Sequence, residues 1–406
     1  MIARRAAILV LGAAVAAVSL SAKAGVWGSQ PDIGIAADYN SNPALLNIAD
    51  TAEQHGALVL DAPASYVGDA FKFSVLPSFR LSNSQGYSSI DSDYEHLTTS
   101  VEFDTERDVL TTAATVARDS SLYHDYLLSG STGVRRDSFS EDLNWDRKLS
   151  ERLDWDTDLN WSRVRYAESA SSDAPSLTDY KYSSISPSLS WAESELGKLT
   201  ATASVGRYDS LVGETESKSA NLQLGLTRQL SEIWSLTASG GYSRAENSAA
   251  GEECDPEYLQ FGFCLPIPAT INSNQNGTIF SVNLIRQTSL WYLNAIASRQ
   301  LLPSGFAYLS RQDSYELKGS YTASVRWTFS GDLHRIQYQQ PIITGGTGEL
   351  KVTTESLSAA WLWTEHWTVT LSVTHVSESY GAPRLRPNNS GATLLLSRQF
   401  DWKSFQ

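Results

Sequence analysis

Between Leu317 and Trp327 the chain alternates without a miss: Leu317, Gly319, Tyr321, Ala323, Val325 and Trp327 interleave with Lys318, Ser320, Thr322, Ser324 and Arg326. Successive side chains on a strand point to opposite faces, so such a stretch has one apolar face and one wet face. The pattern returns along most of the chain in segments of roughly ten residues separated by turns, as in a transmembrane β-barrel, where lipid-facing and lumen-facing residues alternate. A barrel also pairs every backbone N–H and C=O between strands, as hydrocarbon demands.

Eighteen segments can be traced: 32–40, 56–66, 70–82, 93–104, 109–119, 135–149, 153–166, 180–192, 198–208, 219–230, 233–245, 277–287, 290–302, 314–329, 333–340, 354–363, 367–377 and 390–400. Short turns at 68–69, 105–108, 150–152, 193–197, 231–232, 289, 330–332 and 365–366 alternate with longer polar stretches, of which 246–276 is the longest. Bacterial barrels place short turns in the periplasm and long loops outside, so this alternation sets the topology: all-β, up-and-down, antiparallel, both ends periplasmic. The segment 333–340 is short and the first runs into Asn42-Pro43, which leaves sixteen strands as the alternative count.

Aromatic residues mark the membrane edges. Trp234 lies beside a short turn and Tyr242, eight residues on and on the same face, beside a long stretch, with Leu236, Ala238 and Gly240 between them. At ~3.3 Å per residue and a tilt near 40° the separation is about 20 Å, close to the apolar band of such barrels. Trp145, Trp155, Trp191, Trp291, Trp327, Trp363 and Trp367 also lie near short turns, so tryptophan forms the periplasmic girdle.

Compartment follows from the N-terminus. Arg4 and Arg5 precede an apolar stretch from Ala6 to Leu20 and the small-residue signal Ala22-Lys23-Ala24, the grammar of a secretory signal peptide over 1–24 and a mature barrel over 25–406. A secreted chain of alternating strands is expected in the bacterial outer membrane, inserted by the barrel-assembly machinery and surrounded by lipid. Asn389-Ser390-Gly391-Ala392-Thr393-Leu394-Leu395-Leu396, followed by Phe400, resembles the C-terminal signal that this machinery reads. The few residues before the first strand leave no room for a plug, which argues against a TonB-type transporter.

Composition narrows the partners. The formal charge of −14 becomes −17 once Arg4, Arg5 and Lys23 leave with the signal peptide, which argues against nucleic acid, whose binding needs a basic footprint. The mean hydropathy of −0.25 would suggest a soluble protein, but half of every barrel strand is polar. Cys254 and Cys264, both in the longest loop, are spaced for a disulfide in an oxidising compartment.

Catalytic patterns are missing: there is no phosphate-cradling glycine loop, no nucleophile elbow and no metal-spaced histidine cluster. No catalytic residue, metal or cofactor is therefore expected. His124-Asp125 sits in an outer loop without the rest of a protease site, and Asp154, Asp156 and Asp158 alternate as a wet strand face does. The same alternation points Glu102 and Asp104, Asp142, Asn144 and Asp146, and Asn160 inward as an acidic stripe. Lys72, Arg80, Lys318 and Arg326 are expected to point inward elsewhere, making basic sectors that face the acidic one across water.

The stretch Asp38-Tyr39-Asn40-Ser41-Asn42-Pro43 ending the first strand, behind a signal peptide and before a chain-filling barrel, resembles the beta-barrel porin 2 family. The resemblance implies a conduit for exopolysaccharide, the exported polymer being its cargo and a periplasmic export protein its partner. It supplies no catalytic residue. A diffusion porin for small polar solutes and a structural or adhesive surface barrel are the rival expectations.

Overall fold

In this computed structural model the described residues are 25–400, apart from 44, 46–51, 85–93, 122–133, 168–176, 213–214, 255–265, 306–308, 340–348 and 380–386. One antiparallel sheet closes on itself as a barrel of eighteen strands, two of them broken in two. The broken ones are β1 (Val26–Ser29 and Asp32–Asn40) and β2 (Glu53–Asp61 and Ala64–Val67). Then come β3 (Phe71–Ser84), β4 (Tyr94–Asp104), β5 (Asp108–Ser120), β6 (Arg135–Lys148), β7 (Leu153–Tyr166), β8 (Tyr180–Ser194) and β9 (Gly197–Ser210). β10 (Glu216–Ser231), β11 (Trp234–Cys254), β12 (Pro266–Gln287), β13 (Trp291–Pro303) and β14 (Leu309–Ser324) follow. β15 (Trp327–Gln339), β16 (Glu349–Leu362), β17 (Trp367–Ser379) and β18 (Asn388–Gln399) complete the wall, and β18 pairs with β1 from Gln399–Asp32 to Gly391–Asn40.

Both breaks have a chemical cause. Pro31 and Pro63 carry no backbone N–H, and Gln30-Pro31 lies opposite Ala62-Pro63 between the pairs Ser29–Ala64 and Asp32–Asp61. The interruption is bridged by other groups: Ala62 N–H donates to Pro77 O at 3.0 Å and Ser29 Oγ to Pro63 O at 2.8 Å.

A shared device builds the short turns. Thr105, Ser150, Ser194, Ser231, Thr288, Ser324 and Thr364 each accept a backbone N–H two or three residues on through the side-chain oxygen. Such Ser/Thr turns stand in for glycine or proline chemistry. In four of them the next strand opens with tryptophan, giving Ser231–Trp234, Thr288–Trp291, Ser324–Trp327 and Thr364–Trp367.

Two expectations are corrected here. The run 314–329 is not one strand: Val325 and Arg326 form a turn between β14 and β15, with Val325 92% exposed, and residues 330–332 lie inside β15. Arg326 therefore leaves the lumen wall. Nor is 246–276 a loop, because β11 and β12 remain paired up to Cys254–Pro266. Cys264 and the side chain of Cys254 lie outside the described residues, as do His124, Asp125 and residues 1–24.

The faces separate as the alternation requires. Leu58, Leu222, Leu224, Leu357, Leu371 and Leu394 are exposed on the outer wall, where hydrocarbon replaces water. Trp145, Trp191, Trp291 and Trp327 are exposed on the same face near the short turns.

Candidate functional site

The inner wall is built from the residues that alternate with these. On β6 and β7 the register sets Asp142 opposite Asn160, Asn144 opposite Asp158, and Asp146 opposite Asp156. Amides thus interleave with carboxylates: Asn144 Nδ2 donates to Asp156 Oδ2 at 2.7 Å and to Asp158 Oδ1 at 2.8 Å, while Asn160 donates to Asp142. Asp154 lies opposite Lys148 at the periplasmic end.

The rows continue as hydroxyls. Ser184, Ser186, Ser188 and Ser190 of β8 lie opposite Asn160, Asp158, Asp156 and Asp154, and Ser188 Oγ donates to Asp156 at 3.4 Å. Thr200, Thr202 and Ser204 extend the carpet onto β9; Asn221 and Gln223 extend it onto β10. Ser190 and Thr200 share a hydrogen bond of 3.0 Å, and Asn221 Nδ2 donates to Ser204 at 2.9 Å. On the other side, Thr98 meets Thr115 at 3.2 Å and Ser74 meets Ser100 at 2.7 Å.

The cations do not form free basic sectors. Lys72 Nζ lies 2.6 Å from Glu102, Lys318 pairs with Glu316 and lies 3.8 Å from Asp332, and Arg80 pairs with Asp38. Asp104 shares the inward face of β4 with Glu102, at the periplasmic end. By contrast, among the described residues Asp142, Asp146, Asp156 and Asp158 of the acidic stripe on β6 and β7 have no cation within ion-pair distance, and Asp142, Asp156 and Asp158 accept from amides and a hydroxyl.

Asp38 belongs to a different arrangement. The residue is 8% exposed, and its carboxylate accepts from Arg80 of β3 and, at 2.7 Å, from Thr393 of β18, while His55 Nε2 of β2 lies 3.5 Å away. Four strands meet at this carboxylate across the closing seam. Just above it, Ser41 N–H donates to Ser390 O at 2.9 Å, and Asn42 N–H and Nδ2 reach Asn389 Oδ1 and Asn388 O, both at 2.9 Å. The distinctive Asp38–Asn42 stretch and the start of the C-terminal signal are thus two halves of one clasp.

The mouth holds an element that sequence reasoning missed. Pairing of β12 with β13 stops at Phe280–Arg299, whereas β13 and β14 stay paired up to Pro303–Leu309. The β13–β14 hairpin therefore parts from its neighbour, and it folds against the inner wall. Tyr208 OH donates to Ser304 O at 3.0 Å, and Thr178 N–H to Gly305 O at 2.8 Å. Leu309 is buried with Val164, Tyr180 and Tyr208, whose last two rings stack at 5.2 Å. Ser217, Ser243 and Ala245 on the inner faces of β10 and β11 are buried too.

Two features hold this strap. A Cβ on Gly305 would fall 2.7 Å from the Tyr166 hydroxyl and 2.9 Å from Leu177 Cδ2, so a side chain there would push the strap off the wall. At the fork, Arg299 binds Asp313 through two hydrogen bonds of 2.6 and 2.7 Å and lies over the Phe280 ring. The clue available in the sequence was Pro303-Ser304-Gly305, small and turn-forming beside two arginines.

Among the described residues no group of three His, Cys, Asp or Glu could hold a metal. The geometry is that of a wet conduit through the outer membrane, narrowed at its outer mouth by an inward strap.

No protein-family model and no curated protein matches the chain. Among solved structures it is similar to Pseudomonas aeruginosa OpdO, at 13% identity and a TM-score of 0.46 over 93% of this chain and 98% of that one. P. aeruginosa OccK2 (OpdF), solved in complex with glucuronate, gives 9% identity and 0.44 over 92% and 98%. The ferric yersiniabactin uptake receptor FyuA from Yersinia pestis gives 12% and 0.44 over 90% of this chain and 65% of its own. Likenesses this remote assign no role to any residue, and the wall and strap stand on their own geometry.

Proposed function

We propose that this barrel is an outer-membrane conduit for an exported polysaccharide, fed by a periplasmic export protein. The observation that carries the reading is the inner wall of β6 to β10, where carboxylates, amides and hydroxyls face one another in rows across the strands and several are hydrogen-bonded to each other. A wall of this kind offers a hydrated polymer many weak, exchangeable hydrogen bonds and no deep site in which it would stall; conduction requires binding weak enough to leave. The strap at the outer mouth would set the width of chain that passes. The resemblance of the Asp38–Pro43 stretch to the beta-barrel porin 2 family supports the same reading.

A diffusion or uptake porin for small polar solutes is the second reading, favoured by the same strap, because a narrowed mouth also sieves by size. Deleting the gene separates the two. Loss of extracellular polymer with intact uptake of small sugars supports export. Normal polymer with impaired uptake makes the protein a porin.

A further inference from the structure

The outer wall of β6 to β10 carries a feature that passage through the lumen does not use. Arg163 and Arg165 of β7 and Lys181 of β8 point away from the lumen, on the face of Trp155 and Trp161, and Arg163 lies directly opposite Lys181. Around them the outer-face cations are paired: Arg118 with Asp137 at 2.9 Å, Arg207 with Asp209 at 2.9 Å, Lys218 with Glu216 at 3.0 Å and Arg244 with Glu246 at 2.6 Å. Among the described residues Arg163, Arg165 and Lys181 have no carboxylate within ion-pair distance, and Arg163 Nε is buried without a hydrogen-bond partner. The carboxylates that face them across the register, Asp137 opposite Arg165 and Asp209 opposite Lys181, are bound to Arg118 and Arg207 instead, so the three adjacent cations have no ion pair of their own among the described residues.

Directly periplasmic of them the outer wall is hollowed. A concavity of about 790 Å³ is lined by Leu143, Leu159, Trp161, Ile185 and Val205, with Arg207 and Lys218 along its upper rim and Glu141 as its one carboxylate. The height is informative. Arg163 and Arg165 stand eight and ten residues beyond Trp155, and Lys181 stands ten before Trp191, both tryptophans being near short turns. At ~3.3 Å per residue and a tilt near 40°, these charges lie about 20–25 Å above the periplasmic girdle, at the outer edge of the apolar band. That is the level of headgroup phosphates in the outer leaflet.

We infer that the flank formed by β6 to β10 binds a phosphorylated glycolipid of the outer leaflet, its phosphates held by Arg163, Arg165 and Lys181 and its acyl chains seated in the concavity below. The occupant follows from the pairing of unneutralised cations with an apolar hollow at membrane depth. Arginine grips phosphate through two parallel N–H donors and lysine adds a point charge. A free anion would not need the hollow, and a purely apolar partner would leave the cations uncompensated.

The test uses the full-length protein in detergent micelles, with native mass spectrometry counting retained lipid. The probes are a diphosphorylated outer-leaflet glycolipid and the same glycolipid after enzymatic dephosphorylation. The wild-type protein is expected to retain the phosphorylated form at least tenfold better, each cation near an anionic surface being worth roughly fivefold. The combined variant Arg163→Gln, Arg165→Gln, Lys181→Gln should lose that preference, whereas Arg244→Gln, on the adjoining β11 and already paired with Glu246, should keep it. Equal retention of both probes by the wild-type protein overturns the proposal and needs no variant. So does a triple variant that binds as the wild type does, or one that changes only the oligomeric mass, which would assign this face to a second copy of the chain.

Discussion

Two of this barrel's inward-facing carboxylate regions do opposite things. At the seam, Asp38 is nearly buried and accepts from an arginine and a threonine beside a histidine, on strands from both ends of the chain. On β6 and β7, Asp142, Asp156 and Asp158 touch mainly asparagine and serine and face water. Desolvation separates the two cases. A carboxylate taken out of water must be matched by cations and donors and then becomes a structural joint. One left in water, propped by amides, keeps its charge available to whatever passes.

The sharpest way to break that comparison is at the seam. Asp38→Ala strands Arg80 and His55 in a dry site and should destabilise the barrel by on the order of 3–5 kcal/mol. Heat-modifiable mobility in SDS gels checks this: the folded band should disappear at a markedly lower temperature than in the wild type. An unchanged transition would mean that the seam carboxylate is not a joint.

The strap comes next. Asp313→Ala removes a bidentate charged pair at the fork, a loss of about 1.5–3 kcal/mol, or roughly tenfold or more in the released population. Single-channel recording should then register more time at a higher conductance level, with the melting of the barrel little changed. Tyr208→Phe deletes one neutral hydrogen bond to the strap and should act in the same direction by about 1 kcal/mol. A Tyr208→Phe effect as large as that of Asp313→Ala would place the latch on the far wall and not at the fork.

The smallest effect on stability is expected on the acidic wall. Asp154, Asp156 and Asp158 changed together to Asn should alter stability by no more than about 0.5 kcal/mol, as exposed substitutions do. Reversal potentials in a salt gradient should nevertheless move away from cation selectivity. Unchanged reversal potentials together with a lowered melting temperature would invert the contrast with Asp38.

Much of this was legible in advance, and the misses have specific causes. Alternation located every strand of the wall, because a period of two leaves a strong imprint when one face meets lipid. It failed at Val325-Arg326, since a two-residue turn with an apolar first residue keeps the alternation in phase. The Ser324–Trp327 spacing, repeated at three other turns, was the signal that marks it. Alternation failed again over 246–276, where polar residues on both faces of an extended hairpin resemble a loop. It assigned Lys72 and Lys318 to an inward face without revealing that Glu102 and Glu316 neutralise them.

The amino-acid sequence by itself determined that the chain crosses a membrane as strands, which face of each strand is wet, and that β6 and β7 carry an acidic face. These are properties of neighbours along the chain, written in period and turn chemistry. Only the tertiary structure decided that Asp38 and Thr393 share one bond across 355 positions, that the β13–β14 hairpin leaves the wall to lie on Tyr208, and that Arg163, Arg165 and Lys181 stand unpaired above an apolar hollow. Each of these depends on register and closure, which bring distant residues together through pairing that no local pattern encodes.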